Sequence, residues 1–398
     1  MFRILGLSLG LLIASIASPA LADPVIKTMR VDCANGETIS EALAKSVGED
    51  KELVIEFTGT CTETVSVPRD DVTIRGLDPS ATLVGRVTAD GVVRLTVTSF
   101  TIRDTPPDPR PNGRRGDAIL LNTTLGVTID NMKIIHPGGN GITTDDGQVR
   151  VRNVSVTDCG GIGIASGMSG SFLVGGTLVT NRCQGAGIQV GFGSQMTAQT
   201  GAVIEANDNV SWGILVQTLG QLSIFRNTTT TVLRNGVGIQ VSNKGSLTYG
   251  DGLMDVSDNR GFGILVGELA DMTPFGGIVP NLVVSRNGVG IGVIRRSFIR
   301  MIQGNISNNL GPGLLVDASD VAIRGTTIQS NAGPSALVTF DSTATFDGGN
   351  VFDTAIVCDS TSIARGQFTC PTPLTAAAAS EWKKEAERWL AAGQGVLQ

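Results

Sequence analysis

A four-residue phrase, Gly-Ile-x-Val or a close variant, recurs along the chain and fixes its architecture. It reads Gly141-Ile142-Thr143-Thr144, Gly163-Ile164-Ala165-Ser166, Gly187-Ile188-Gln189-Val190, Gly213-Ile214-Leu215-Val216 and Gly238-Ile239-Gln240-Val241. It continues as Gly263-Ile264-Leu265-Val266, Gly290-Ile291-Gly292-Val293 and Gly313-Leu314-Leu315-Val316, and ends in the degenerate Ser335-Ala336-Leu337-Val338. Successive copies lie 22, 24, 26, 25, 25, 27, 23 and 22 residues apart. A period in this range means one supersecondary unit stacked many times, so length counts repeats rather than domains.

Each unit holds short β-branched runs without helical periodicity. Glycine allows a bend without Cβ strain, and Ile-x-Val alternates as a strand does, with Ile and Val inward and x outward. A leucine-rich repeat would need Leu-x-x-Leu-x-Leu and a helical return, which this sequence lacks. Asparagine precedes the phrase: Asn209, Asn259, Asn309 and Asn331 by four residues, Asn235 and Asn287 by three. Asparagine tolerates the left-handed conformation and bonds turn backbone, and stacked copies would form a side-chain ladder. The 52 glycines and the low charged content of 17% suit many short strands joined by tight turns.

Together these features resemble the right-handed parallel β-helix of the pectate-lyase-like superfamily, over roughly residues 60–370. The run Gly59 to Pro68 is similar to the first coil of many such proteins, with Glu63 expected to bond the turn. The fold class expected is all-β: a right-handed parallel β-helix solenoid with an N-terminal helical cap and a C-terminal amphipathic helix. Residues 1–22 form an export signal, 23–60 the cap and first strands, 61–370 the β-helix and 371–398 the terminal helix. Nine phrase coils and two or three earlier ones predict a rod of roughly 55 Å.

The leader has Arg3, an apolar stretch from Leu5 to Ile16, and Ala20-Leu21-Ala22 before Asp23. That pattern predicts cleavage after residue 22 and a secreted or periplasmic protein. The apolar stretch is short for a membrane span, which needs about 18 residues or more. The net charge of −6 argues against a nucleic-acid partner. Six cysteines in an exported chain predict three disulfides. Cys159 and Cys183 both stand four residues before their glycine, so they stack on adjacent coils within bonding reach; the alternative is a pair of buried thiols. Cys33 and Cys61 bracket the N-terminal region, and Cys358 and Cys370 bracket the last coil.

Thr38 reads as the N-cap of a short helix, with Glu41 three residues on and Ile39, Leu43 and Val47 as its apolar stripe. A cap is needed because an open solenoid end exposes strand edges and core. Residues 103–117 carry four prolines and predict a loop, as does the stretch around 268–280. From Ala376 to Leu390, Trp382, Ala386, Trp389 and Leu390 share one helical face. The outward row Leu215, Leu265, Leu315 and Leu337 needs a cover, which is either this helix or another subunit.

Enzymes of the resembled superfamily mostly cut or modify acidic polysaccharides. The polygalacturonase-like, methylesterase-like and alginate-epimerase signatures are absent here; the calcium-dependent lyase pattern is looser and stays open. The best local constellation is Lys133, His136, Asp145, Asp146, Arg150 and Arg152, beside a loop carrying Arg110, Arg114 and Arg115. Asp145 and Asp146 suit calcium through hard oxygen ligands. Lys133, His136, Arg150 and Arg152 suit a uronate carboxylate and the proton beside it, the chemistry of β-elimination. Against this, Asp145-Asp146-Gly147 is a good turn, and alternating arginines on a strand are often only solvated. Arg295, Arg296 and Arg300 form a second basic set. Trp212 and Phe262 share a repeat position two coils apart and read as packing residues. Three functions stay open: binding an acidic polysaccharide, a calcium-dependent polyuronate lyase, and a non-catalytic surface rod that self-associates through its leucine row.

Overall fold

The computed structural model describes residues 25–398 except 50, 106–115, 276–280, 371–372, 376, 379, 382–383, 386, 389–390 and 392–398. The chain winds into an all-β parallel solenoid of about 14 turns, with very little helix. At one strand spacing per turn this is roughly 60–65 Å long, longer than the roughly 55 Å expected. The coils before Gly141 are those expected; the extra turns lie beyond Ser335, where Ile356–Asp359 and then Pro373–Leu374 continue the phrase sheet.

Each full turn contributes a strand to three parallel sheets. The phrase sheet contains Ile142–Asp145, Ile164–Gly167, Ile188–Val190, Trp212–Val216, Val237–Val241 and Phe262–Gly267. The second sheet follows one corner later, with Gln195–Ala198, Gln221–Ile224 and Ser246–Tyr249. The third holds Val203–Asn207, Thr229–Thr231 and Leu253–Ser257. Longer strands such as Gln148–Thr157 and Ser171–Asn181 run from the second sheet into the third. They turn at Asn153 and Gly176, both at positive φ.

The phrases lie in register. Ile142 pairs with Ile164, Ile164 with Ile188, Ile188 with Ile214, Ile214 with Ile239 and Ile239 with Ile264. All are buried in the bore, where each contributes about 1.5–3 kcal/mol. The glycines are there for close approach rather than for a left-handed bend. A Cβ on Gly213 would lie 2.2 Å from Val232 Cγ1 and 2.8 Å from Gly238 O.

Asparagines form the predicted ladder inside the corner before the phrase sheet. Nδ2 of Asn209, Asn235, Asn259, Asn287 and Asn309 each donates to Oδ1 of the asparagine on the next coil, at 2.8–3.1 Å. Each of those Oδ1 atoms also accepts the preceding asparagine's backbone N–H. The ladder thus satisfies corner backbone groups that the sheets cannot reach.

All three expected disulfides are present: Cys33–Cys61, Cys159–Cys183 and Cys358–Cys370. The cap helix spans Ile39–Ala44, with Thr38 Oγ1 accepting from Glu41 N–H at 3.2 Å. Glu63 reaches across to accept the N–H of Ile39 and Ser40, at 2.8 and 3.0 Å. Its carboxylate therefore satisfies orphan donors at the helix N-terminus. Val47 is a correction: the helix stops at Ala44, leaving Val47 61% exposed rather than on the apolar stripe. The excursion expected around 268–280 is also narrower, because Asp271–Pro274 is a strand in the second sheet.

Leu215, Leu265, Leu315 and Leu337 point out of the bore yet are only 1–4% exposed. Leu265, Leu315 and Leu337 form a second apolar cluster with Val237, Phe262 and Val289, and Trp212 and Leu374 pack against it. The row is therefore covered within one chain. Among the described residues of the terminal segment, 377–378, 380–381, 384–385, 387–388 and 391 are helical. The aromatic face of that helix, at Trp382 and Trp389, lies outside the described residues, as do the leader 1–22 and Arg110, Arg114 and Arg115.

Candidate functional site

The sequence constellation is spread over two sheets and two corners. Lys133 is exposed on the third sheet, paired with Ser155 and Thr101. His136 stands at the corner after that sheet at φ 49°, 62% exposed. Asp145 ends a phrase strand, and Asp146 is exposed in the next corner at φ 48°. Arg150 and Arg152 are exposed on the second sheet.

His136 belongs to a structural row. Its Nδ1 lies 3.5 Å from Asp104 Oδ1 and its Nε2 3.9 Å from Asp158 Oδ2. Asp158 is bonded in turn by Arg182, Asp208 by Arg234, and Asp258 by Arg286, at 2.6–2.9 Å. Asp104, His136, Asp158, Arg182, Asp208, Arg234, Asp258 and Arg286 all have positive φ. The corner fixes the same left-handed backbone at each level, and alternating charge makes the stacking favourable. The paired guanidinium holds the carboxyls of Asp158, Asp208 and Asp258 below the ordinary value, against the opposing effect of partial burial. This row was missed from the sequence, although its signal is visible there. Asp208, Arg234, Asp258 and Arg286 each immediately precede a ladder asparagine, with alternating charge.

Arg152 is likewise engaged, with Nε 3.4 Å from Asp130 Oδ1 on the coil below. Arg150 differs. Among the described residues it makes no ion pair, and it stands in an open recess of about 470 Å³. Gln148, Thr128, Ser171, Gln195 and Thr197 supply the other polar walls, with Leu173 beside them. The register places Thr128, Arg150 and Leu173 in one outward row, with Thr197 next. One free guanidinium among amides and hydroxyls can bind a carboxylate in bidentate fashion while the walls take hydroxyl groups.

A second, smaller recess of about 240 Å³ lies on the phrase sheet at the same coils. Ala165 forms its floor, being the shortest side chain in the outward row Thr143, Ala165, Gln189. Met168 and Phe192 stand on its rim. Below it, Asp117 Oδ2 accepts from Thr143 Oγ1 at 2.6 Å, and Asn140 Nδ2 donates to the same hydroxyl at 3.1 Å.

Among the described residues, no group of three or more His, Cys, Asp or Glu is arranged to hold a metal ion. Among the described residues, no helix is long and apolar enough to cross a membrane.

Residues 86–251 and 212–366 match the family model described as "Right handed beta helix region". No curated protein matches the chain. Several solved structures are similar to it. The Azotobacter vinelandii mannuronan C-5 epimerase AlgE4 A-module shares 14% identity over 85% of this chain and 93% of its own, with a TM-score of 0.43. The corresponding AlgE6 A-module shares 12% over 84% and 91%, with a TM-score of 0.38. The receptor-binding protein of bacteriophage Det7, a tailspike, shares 10% over 87% and 77%, with a TM-score of 0.41.

Proposed function

The chain belongs to the right-handed β-helix family, and on that scaffold we propose an exported protein whose second sheet binds an acidic polysaccharide through Arg150. The observation that carries this reading is the Arg150 guanidinium, which makes no ion pair among the described residues and stands in a polar recess, while Arg152 on the same strand is engaged. On that sheet Arg75 bonds Glu56 and Arg152 faces Asp130. The net charge of −6 gives no long-range attraction for a polyanion, so recognition rests on local contacts. Three disulfides and the leader pattern of residues 1–22 support export.

The test is titration of the protein with a polyuronate and with a neutral glucan of equal length. Selective binding to the polyuronate is expected, weakened about tenfold by Arg150→Ala, the size of one charge-assisted contact of about 1.4 kcal/mol. Arg150→Lys should fall between, since it keeps charge without the fork. Equal affinity for both polymers, or unchanged binding by Arg150→Ala, would overturn the assignment. Ultraviolet absorbance followed in the same titration, with and without calcium, reads out any β-elimination.

A further inference from the structure

Met168 and Phe192 are placed against the usual preferences of their positions. Both lie in the left-handed region, at φ 44° and 54°, and are 59% and 54% exposed. The coils from Asp146 to Phe340 turn this corner in the same way, and on other levels Asp146, Thr218, Asn243, Glu268, Arg295 and Ala318 hold the position at φ 48–60°. Asp and Asn are the low-cost choices there; a methionine or phenylalanine is disfavoured by the backbone and, when exposed, by water. Neither side chain recovers that cost by packing into the bore. Beside them, Gln189 makes no hydrogen bond among the described residues. The equivalent Gln240, two coils on, accepts from Trp212 Nε1 at 2.8 Å.

The two recesses share their coils. The strand Ile142–Asp145 leads through Asp146 to Gln148, Ile164–Gly167 through Met168 to Ser171, and Ile188–Val190 through Phe192 to Gln195. Asp146, Met168 and Phe192 are therefore the ridge between the Arg150 recess and the Ala165 recess.

We infer that the Ala165 recess is a second sugar subsite, and that the polysaccharide crosses this ridge transverse to the solenoid axis. One ring lies on the face of Phe192 with its hydroxyls toward the Gln189 amide, while a neighbouring uronate carboxylate meets Arg150. An aromatic face supplies apolar contact to the C–H side of a pyranose, and a free amide supplies both a donor and an acceptor. The short side chain of Ala165 leaves the room that a longer outward residue would fill.

This inference rests on the polysaccharide reading, and its test separates the two. Binding of a hexameric oligouronate would be measured for the wild type, Arg150→Ala, Phe192→Ala, Phe192→Trp and Phe340→Ala. Phe340 holds the same repeat position near the far end, at φ 55° and 38% exposed, and serves as the control. Phe192→Ala should lose about tenfold in affinity at unchanged melting temperature, while Phe192→Trp and Phe340→Ala retain it. Loss with Arg150→Ala but not with Phe192→Ala would overturn the second subsite and leave the polysaccharide reading standing. Absence of binding by the wild type would overturn both. A Phe340→Ala loss equal to that of Phe192→Ala would also overturn the subsite, because any exposed aromatic would then serve.

Discussion

Cys183 donates its backbone N–H to Asn209 Oδ1 at 3.0 Å, so the Cys159–Cys183 disulfide continues the column of the asparagine ladder. Covalent and hydrogen-bonded rungs thus occupy one repeat position along successive coils. The column runs from Cys159 to Asn331, and all of its side chains are buried. It ties each corner to the next where the sheets are interrupted.

A middle rung should matter more than an end rung. Asn259 Nδ2 donates to Val232 O and Asn287 Oδ1, at 3.1 and 3.0 Å, and its Oδ1 accepts from Asn235 N–H at 2.9 Å. Asn259→Ala leaves several buried groups unsatisfied, each costing about 1–3 kcal/mol. A loss of about 3 kcal/mol or more is expected in chemical denaturation. Asn331→Ala, at the end of the column, should cost visibly less. Equal losses at both positions would argue against a cooperative ladder.

Removing the covalent rung acts chiefly on the unfolded chain. Cys159 and Cys183 close a loop with a separation of 24 residues. Loop-closure entropy assigns such a crosslink about 3 kcal/mol. The double variant Cys159→Ala/Cys183→Ala should therefore denature at lower denaturant concentration, still as a β-rich protein by circular dichroism.

The bore was the most legible part of the sequence because one constraint repeats. Ile142, Ile164 and Ile188 must each fill the same shaft, so the phrase and the Cys159–Cys183 register can be read directly. The outer surface carries no such constraint. Intervals of 22 to 27 residues hide which outward side chains become neighbours. Arg150 and Arg152 look alike in sequence. Only the register shows that Arg152 faces Asp130 while Arg150 has Thr128 beside it. His136 joins Lys133 and the Asp145-Asp146 pair only by nearness in sequence; its neighbours in space, Asp104 and Asp158, lie 32 and 22 residues away in the chain. The tight approach at Gly213 likewise depends on Val232, which belongs to the coil that follows.

Acid should weaken the corner row. The carboxyls of Asp158, Asp208 and Asp258 titrate below the ordinary aspartate value of 3.8 because each accepts hydrogen bonds from a guanidinium. A carboxyl lowered by folding contributes stability that is fully present above the unfolded value and lost as pH falls through the folded one. Melting temperature should thus hold steady with respect to these groups above about pH 4 and fall below it. Asp208→Asn should start lower at neutral pH and show a shallower acid decline. High salt should shrink the difference, since these side chains are partly exposed.

The bore itself holds hydroxyls that the fold does not use. Thr144 Oγ1 and Ser166 Oγ are buried without a hydrogen-bond partner among the described residues. They occupy the inward position that Val190 and Val216 fill on the next coils. A buried hydroxyl without a partner costs about 1–3 kcal/mol relative to one that is satisfied. Thr144→Val keeps the shape and removes the polar atom, and should raise stability by about 1 kcal/mol in denaturant titration. Ser166→Val would extend the valine row but adds volume, so its gain should be smaller, because overpacking opposes it. Destabilisation by Thr144→Val of 1 kcal/mol or more would show that the hydroxyl is engaged in the folded protein.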